Sequence, residues 1–130
     1  MKPAGLAAIG VSLLLAACAH GSGGDFAGTR WTPTSFDGAA IDPARASMEF
    51  RRDALSLNVG CNTMSGSMEI RDDRIVITGP LASTRVFCEG LMERERAVAD
   101  MLRASPRVMR DGETMTIETD DHRLLLRRAG

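Results

Sequence analysis

Apolar residues recur at every second position along most of the stretch from Met48 to Leu126, and this alternation breaks once for a full segment, between Glu89 and Ala104. A period of two places successive side chains on opposite faces, so each such run reads as a strand with one buried face. Met48 and Phe50 form the first pair, before the polar turn Arg51-Arg52-Asp53. Leu55, Leu57 and Val59 follow, and then Gly66, Met68 and Ile70 share a parity up to Asp72-Asp73. Ile75 and Ile77 lie on a short strand that stops at Gly79-Pro80. Val108 lies on another, and Asp111-Gly112 is the strongest hairpin signal because both positions accept positive φ. Met115 and Ile117 alternate again, and Leu124-Leu125-Leu126 closes the pattern after an acidic turn. Short strands joined by tight turns predict an antiparallel meander, whose buried face needs a cover.

The interruption supplies one. From Glu89 to Ala104 helix formers dominate, and Ser105-Pro106 ends the run. At about 100° per residue, Leu91, Val98 and Leu102 lie within about 40° of one another, flanked by Met101 and Ala99. Glu95 projects only about 40° from Leu91, inside the apolar stripe. Two readings follow. Either Glu95 is buried and must find donors, with the Arg85 guanidinium as the nearest partner, or it lies at the edge of the stripe and reaches solvent.

The N-terminus sets the compartment. Met1-Lys2 gives a positive start, and Leu6–Ala17 is apolar. A helix of that length rises about 18 Å, short of the roughly 30 Å of a bilayer core, so the run reads as an export signal, not a span. Leu15-Ala16-Ala17-Cys18 resembles the bacterial lipoprotein cleavage site, which implies acyl chains on Cys18; an ordinary signal peptide with an incidental cysteine is the alternative. The resemblance implies a membrane anchor through Cys18, and Ala19 in place of Asp leans it towards the outer membrane, facing the periplasm. The expected division is residues 1–17 as signal peptide, 18–27 as a Gly- and Ser-containing tether, and 28–130 as one domain.

Cys61 and Cys88 are the remaining cysteines. In an oxidising compartment an even pair predicts a disulfide, and closing that loop would constrain the unfolded chain by about 3–4 kcal/mol; two separately buried thiols are the alternative. A net charge of −1, one Trp, four Phe and no Tyr provide neither a basic field nor a stacking platform, which argues against nucleic-acid binding. His20 lies in the tether, and His122 sits in the turn-like Asp120-Asp121-His122, so no metal site and no cofactor are expected.

Several motifs in order resemble the META domain family: Gly60-Cys61-Asn62-Thr63-Met64-Ser65-Gly66, then Thr84-Arg85-Val86-Phe87-Cys88, then Glu95 three residues before an apolar position. Gly28-Thr29-Arg30-Trp31 with Gly38 looks like that family's first strand and turn, and the Met115/Ile117 strand followed by Leu124–Leu126 like its final hairpin. Met64 stands where the family usually has an aromatic, and Thr32-Pro33 where it has a leucine. The resemblance implies a mainly β (α+β) fold: a curved antiparallel sheet or partly open lipocalin-like barrel with one α-helix packed across it. Gly60 and Gly66 suit a sharp corner or close backbone approach around Cys61, and Asn62 can lock that corner by bonding its own backbone two residues on, as can Thr84 at the crossing to the helix. Gly60, Asn62, Gly66, Thr84, Arg85 and Glu95 are thus expected to form one cluster that orients the helix. The expected core is Trp31, Met48, Phe50, Leu55, Leu57, Met68, Ile70, Ile75, Ile77, Val98, Leu102, Val108, Met115, Ile117, Leu124 and Leu126.

No nucleophile–base pair, carboxylate dyad or phosphate-cradling loop is legible, so catalysis is not expected. The resemblance implies a non-enzymatic envelope lipoprotein supporting stress or antibiotic tolerance through surface contacts, with an unidentified envelope protein as partner and a monomeric domain. The alternative is a small binding module in the periplasm: a hydrolase inhibitor using a mobile loop at Thr34–Ala46 or Asp120–Arg123, or a carrier holding an apolar ligand inside the curved sheet.

Overall fold

The computed structural model describes residues 26–130 and, before them, only Gly5 and Gly10. Cys18 and nearly all of the expected signal peptide and tether lie outside the described residues. No helix among those described is long and apolar enough to cross a membrane.

Ten antiparallel strands and one α-helix make up the described fold: β1 (Arg30–Phe36), β2 (Ala39–Ala40), β3 (Ala46–Phe50), β4 (Ala54–Val59), β5 (Thr63–Arg71), β6 (Arg74–Ile77), β7 (Ala82–Ser83), α1 (Met92–Arg103), β8 (Arg107–Asp111), β9 (Thr114–Glu118) and β10 (Arg123–Arg128). A 3-10 turn at Pro43–Arg45 precedes β3. The order β10-β9-β8-β6-β5-β4-β3-β1 is a meander, and β1 pairs back onto β10. That pairing closes an eight-stranded barrel, with β2 and β7 as short additions on β1 and β5. The sheet is therefore closed, not partly open, and its inner face largely covers itself.

Closure is uneven. β6 and β8 are registered only at Arg74↔Arg107, whereas β8 and β9 pair along their whole lengths. α1 completes the wall there: Val98, Met101 and Leu102 are buried, at 0–1% exposure, while Arg103 and Asp100 face outward. Burying three such side chains contributes about 1.5–3 kcal/mol each. The helix is shorter than its sequence span. Glu89–Leu91 is a turn, and Ser105 ends the helix in the left-handed region at φ +53.

Of the predicted core only Ile77 is half-buried; the rest is buried and is joined by Phe36, Ile41, Ala46, Val59, Met64 and Met101. The turns sort out by backbone sign. Asp37-Gly38 and Asp72-Asp73 are two-residue hairpin loops with positive φ at both positions (+49 and +82, +50 and +60). In Asp111-Gly112 only the glycine has positive φ, because Asp111 still belongs to the ladder opposite Thr114. At Pro33, which has no N–H to give, the β1–β10 register slips before Ser35.

Candidate functional site around Asn62 and the disulfide loop

The corner between β4 and β5 begins with Asn58. Its side-chain oxygen accepts from Gly60 N–H at 2.8 Å, and its amide donates to Cys61 O at 3.1 Å. This is the local backbone lock expected of Asn62, four residues early. Gly60 turns the chain at φ +132, with the site of a missing Cβ only 3.4 Å from Leu91 Cδ1. Gly66 serves the other expected purpose, close approach: a Cβ there would lie 3.0 Å from Pro80 O.

Asn62 reaches across the fold instead. Its backbone N–H donates to Glu95 Oε1 at 2.5 Å and its side-chain amide to Glu95 Oε2 at 2.9 Å. The same amide donates to Val86 O at 2.8 Å, while Oδ1 accepts from Val86 N–H at 2.7 Å and Thr84 Oγ1 at 2.9 Å. Both side-chain donors and both lone pairs are occupied on a residue only 4% exposed, so its burial carries no unmet polar group. Thr84 Oγ1 also accepts from Thr63 N–H at 3.0 Å.

Glu95 is thus half-buried and hydrogen-bonded, and its partner is Asn62. The ion pair with Arg85, one of the two readings open in the sequence, does not form: Arg85 is exposed and makes no salt bridge or side-chain hydrogen bond among the described residues. Arg85 sits in the loop and opens to solvent, whereas Asn62 lies where the corner meets the helix. Its backbone N–H and side-chain amide satisfy the carboxylate without the desolvation a guanidinium would add.

Cys61 and Cys88 are disulfide-bonded, with Cα atoms 6.1 Å apart, so of the two readings open in the sequence the cross-link is the one adopted. Together with Asn62 it fixes both sides of the segment Arg85-Val86-Phe87. Val86 and Phe87 are nevertheless 60% and 78% exposed, the two most exposed large apolar side chains among the described residues. By contrast the Thr34–Ala46 stretch holds strands and a 3-10 turn, with Phe36 and Ile41 buried, and is not a protruding loop.

A family model for the META domain matches residues 24–130. The chain belongs to the META domain family. This META domain is similar to two solved NMR structures. One is titled only as the NMR structure of a protein, with a TM-score of 0.70 and 21% identity over 82% of this chain and 93% of that one. The other is a protein from Burkholderia xenovorans, with a TM-score of 0.65 and 20% identity over 99% of this chain and 97% of that one. At such identities the likeness shows the fold alone. No curated protein matches the chain.

Within this META domain, Gly60, Asn62, Thr84, Cys61, Cys88 and Glu95 meet around one corner, whereas Gly66 lies further along β5 against Pro80 and Leu81, and Arg85 also stands apart. Asn58 and Arg94 belong to the cluster without having been singled out in the sequence; Arg94 donates to Val59 O at 3.5 Å and Ala40 O at 3.3 Å, tying the helix to the barrel end. Asn58-x-Gly60 was a readable Asx-turn signal. Nothing in the helical pattern marks Arg94.

A second polar cluster lies between β1 and the β9–β10 turn. His122 Nδ1 is 2.7 Å from Asp37 Oδ2, its ring stacks on Phe36 with centroids 5.3 Å apart, and Arg123 N–H donates to Asp37 Oδ1 at 2.8 Å. Burial pushes the Asp37 carboxyl up, but the His122 hydrogen bond, the Arg123 N–H and the His122 charge outweigh it and hold the group below its ordinary value. Among the described residues no group of three or more His, Cys, Asp or Glu side chains is placed to hold a metal ion.

Proposed function

We propose that this META domain protein is a lipid-anchored envelope protein, held through Cys18 at the outer membrane, that supports stress tolerance by contact and not by turnover. One observation carries the reading: Phe87 is 78% exposed at the tip of a loop whose backbone is fixed by Asn62 on one side and the Cys61–Cys88 bridge on the other. A rigid exposed aromatic loses little conformational freedom on binding, and such residues carry much of the energy of protein interfaces. The interior gives less support to a carrier, because the buried cluster from Trp31 to Leu126 occupies the inside of the barrel.

A photo-reactive phenylalanine analogue in place of Phe87 tests the contact in living cells. The expected result is a discrete cross-link to an envelope protein that the same analogue at exposed Arg52 does not give; equal labelling at both positions overturns the reading. Incorporation of radiolabelled fatty acid by wild type but not by Cys18→Ser tests the anchor. A second reading, inhibition of an envelope hydrolase, is favoured by the same braced loop, and loss of inhibition in Phe87→Ala would identify it.

A further inference from the structure

A cleft of about 530 Å³ opens between α1 and the β5–β7 edge. Its floor borders the core through Met64, and the cleft is independent of the exposed Phe87. Its volume falls in the range of small-ligand sites, roughly 300–1,000 Å³. The floor is apolar, from Met64 and Leu81 on the barrel side and Met92 and Ala99 on the helix. Gly66 sets the position of Leu81, since a Cβ at that glycine would lie 3.0 Å from Pro80 O and 3.3 Å from Leu81 Cδ1.

The charge around this floor is one-sided. Glu95 lines the cleft, but both of its carboxylate oxygens accept from Asn62. Arg85 and Arg96 line it too, and among the described residues neither forms a salt bridge or donates a side-chain hydrogen bond within the protein. The helix presents two faces: Val98, Met101 and Leu102 enter the core, whereas Met92, Arg96 and Ala99, spaced four and three residues apart, share the face towards the cleft. An apolar floor beside two unpaired guanidinium groups complements an anion that carries an apolar chain. Planar guanidinium donors suit carboxylate and phosphate oxygens.

We propose that this cleft binds an amphipathic anion, with a carboxylate or phosphate head on Arg85 and Arg96 and an alkyl portion along Leu81, Met64 and Met92. Because both arginines are solvent-exposed, the head alone is screened and the chain must contribute, so neither half suffices.

The test is an NMR titration of the full chain with decyl phosphate and with decanoate as monomers, against inorganic phosphate and octyl glucoside as controls. Both amphiphiles should shift the amides of residues 81–85 and 92–103, and the controls should not. Arg85→Ala and Arg96→Ala should each weaken binding about two- to fivefold, and the double variant about tenfold, without changing the melting temperature, while Arg52→Ala leaves binding unchanged. Equal binding of octyl glucoside, wild-type affinity in the Arg85→Ala/Arg96→Ala double variant, or shifts confined to other residues would overturn the site. Phosphatidylglycerol vesicles, compared with phosphatidylcholine, distinguish sources. Shifts of the same amides by the anionic vesicles identify a bilayer headgroup, and shifts by monomeric amphiphile alone identify a free ligand; either result supports the cleft.

Discussion

Asn62 and Glu95, thirty-three residues apart in the chain, share two hydrogen bonds, so that the backbone N–H and the side-chain amide of one residue at a strand corner hold both oxygens of a carboxylate on the helix. The same side chain accepts from Val86 N–H and donates to Val86 O, holding two successive peptide groups of the loop. Helix, corner and disulfide loop are therefore positioned by a single residue.

The first prediction separates the two partners proposed for Glu95. Glu95→Gln keeps one acceptor but turns an NH₂ towards donors, and should cost about 1–3 kcal/mol in urea denaturation. Arg85→Ala should fall within about 0.5 kcal/mol of wild type, because it touches no described carboxylate. The reverse ranking would restore the ion pair.

Removing the cross-link has two consequences. Cys61→Ala/Cys88→Ala should lose about 3–4 kcal/mol, the loop-closure contribution for a bridge of this span. Amide exchange should rise in the Arg85–Gly90 segment, and less so in β9 and β10, which the bridge does not touch. Protein purified without reductant should show neither cysteine free for alkylation.

Backbone geometry at the two motif glycines makes a third prediction. Gly60→Ala places a side chain at φ +132, and Gly66→Ala drives a Cβ to 3.0 Å from the Pro80 carbonyl oxygen. Each should destabilise by about 1–3 kcal/mol, read as a fall in thermal midpoint. Gly79→Ala, whose nearest neighbour is Ser67 Cβ at 4.0 Å, provides the mild comparison.

Asp37 supplies the pH dependence. Its carboxyl is held below its ordinary value, so its stabilising contribution is present above that ordinary value and disappears as pH falls through the lowered one. The side chain is 39% exposed, and solvent screening keeps the effect on stability small. The direct readout is a carbon-detected NMR titration of Asp37. His122→Phe keeps an aromatic ring over Phe36 and removes the hydrogen bond, so the midpoint should move up towards the ordinary value; no movement would assign the lowering to the Arg123 N–H alone.

From Met48 onward the sequence alone determined the order of the longer strands and the helix, and most of the core, because a period of two or 3.6 is a local property that neighbouring residues carry among themselves. Met115, Ile117, Leu124 and Leu126 are buried where their alternation placed them. The turns at Asp72-Asp73 and Asp111-Gly112 were legible for the same reason, although which residue takes positive φ depended on where the ladder ends. Tertiary structure decided what joins across the chain. Closure of the barrel through β1 and β10 rests on two strands that begin more than ninety residues apart, and no local pattern encodes their meeting. Glu95 faced a similar choice: Arg85 was its nearest candidate in sequence, but the corner at Asn62 brought better-placed donors to it. Hydrogen-bond partners are chosen by distance and direction in space, and only the folded barrel sets either one.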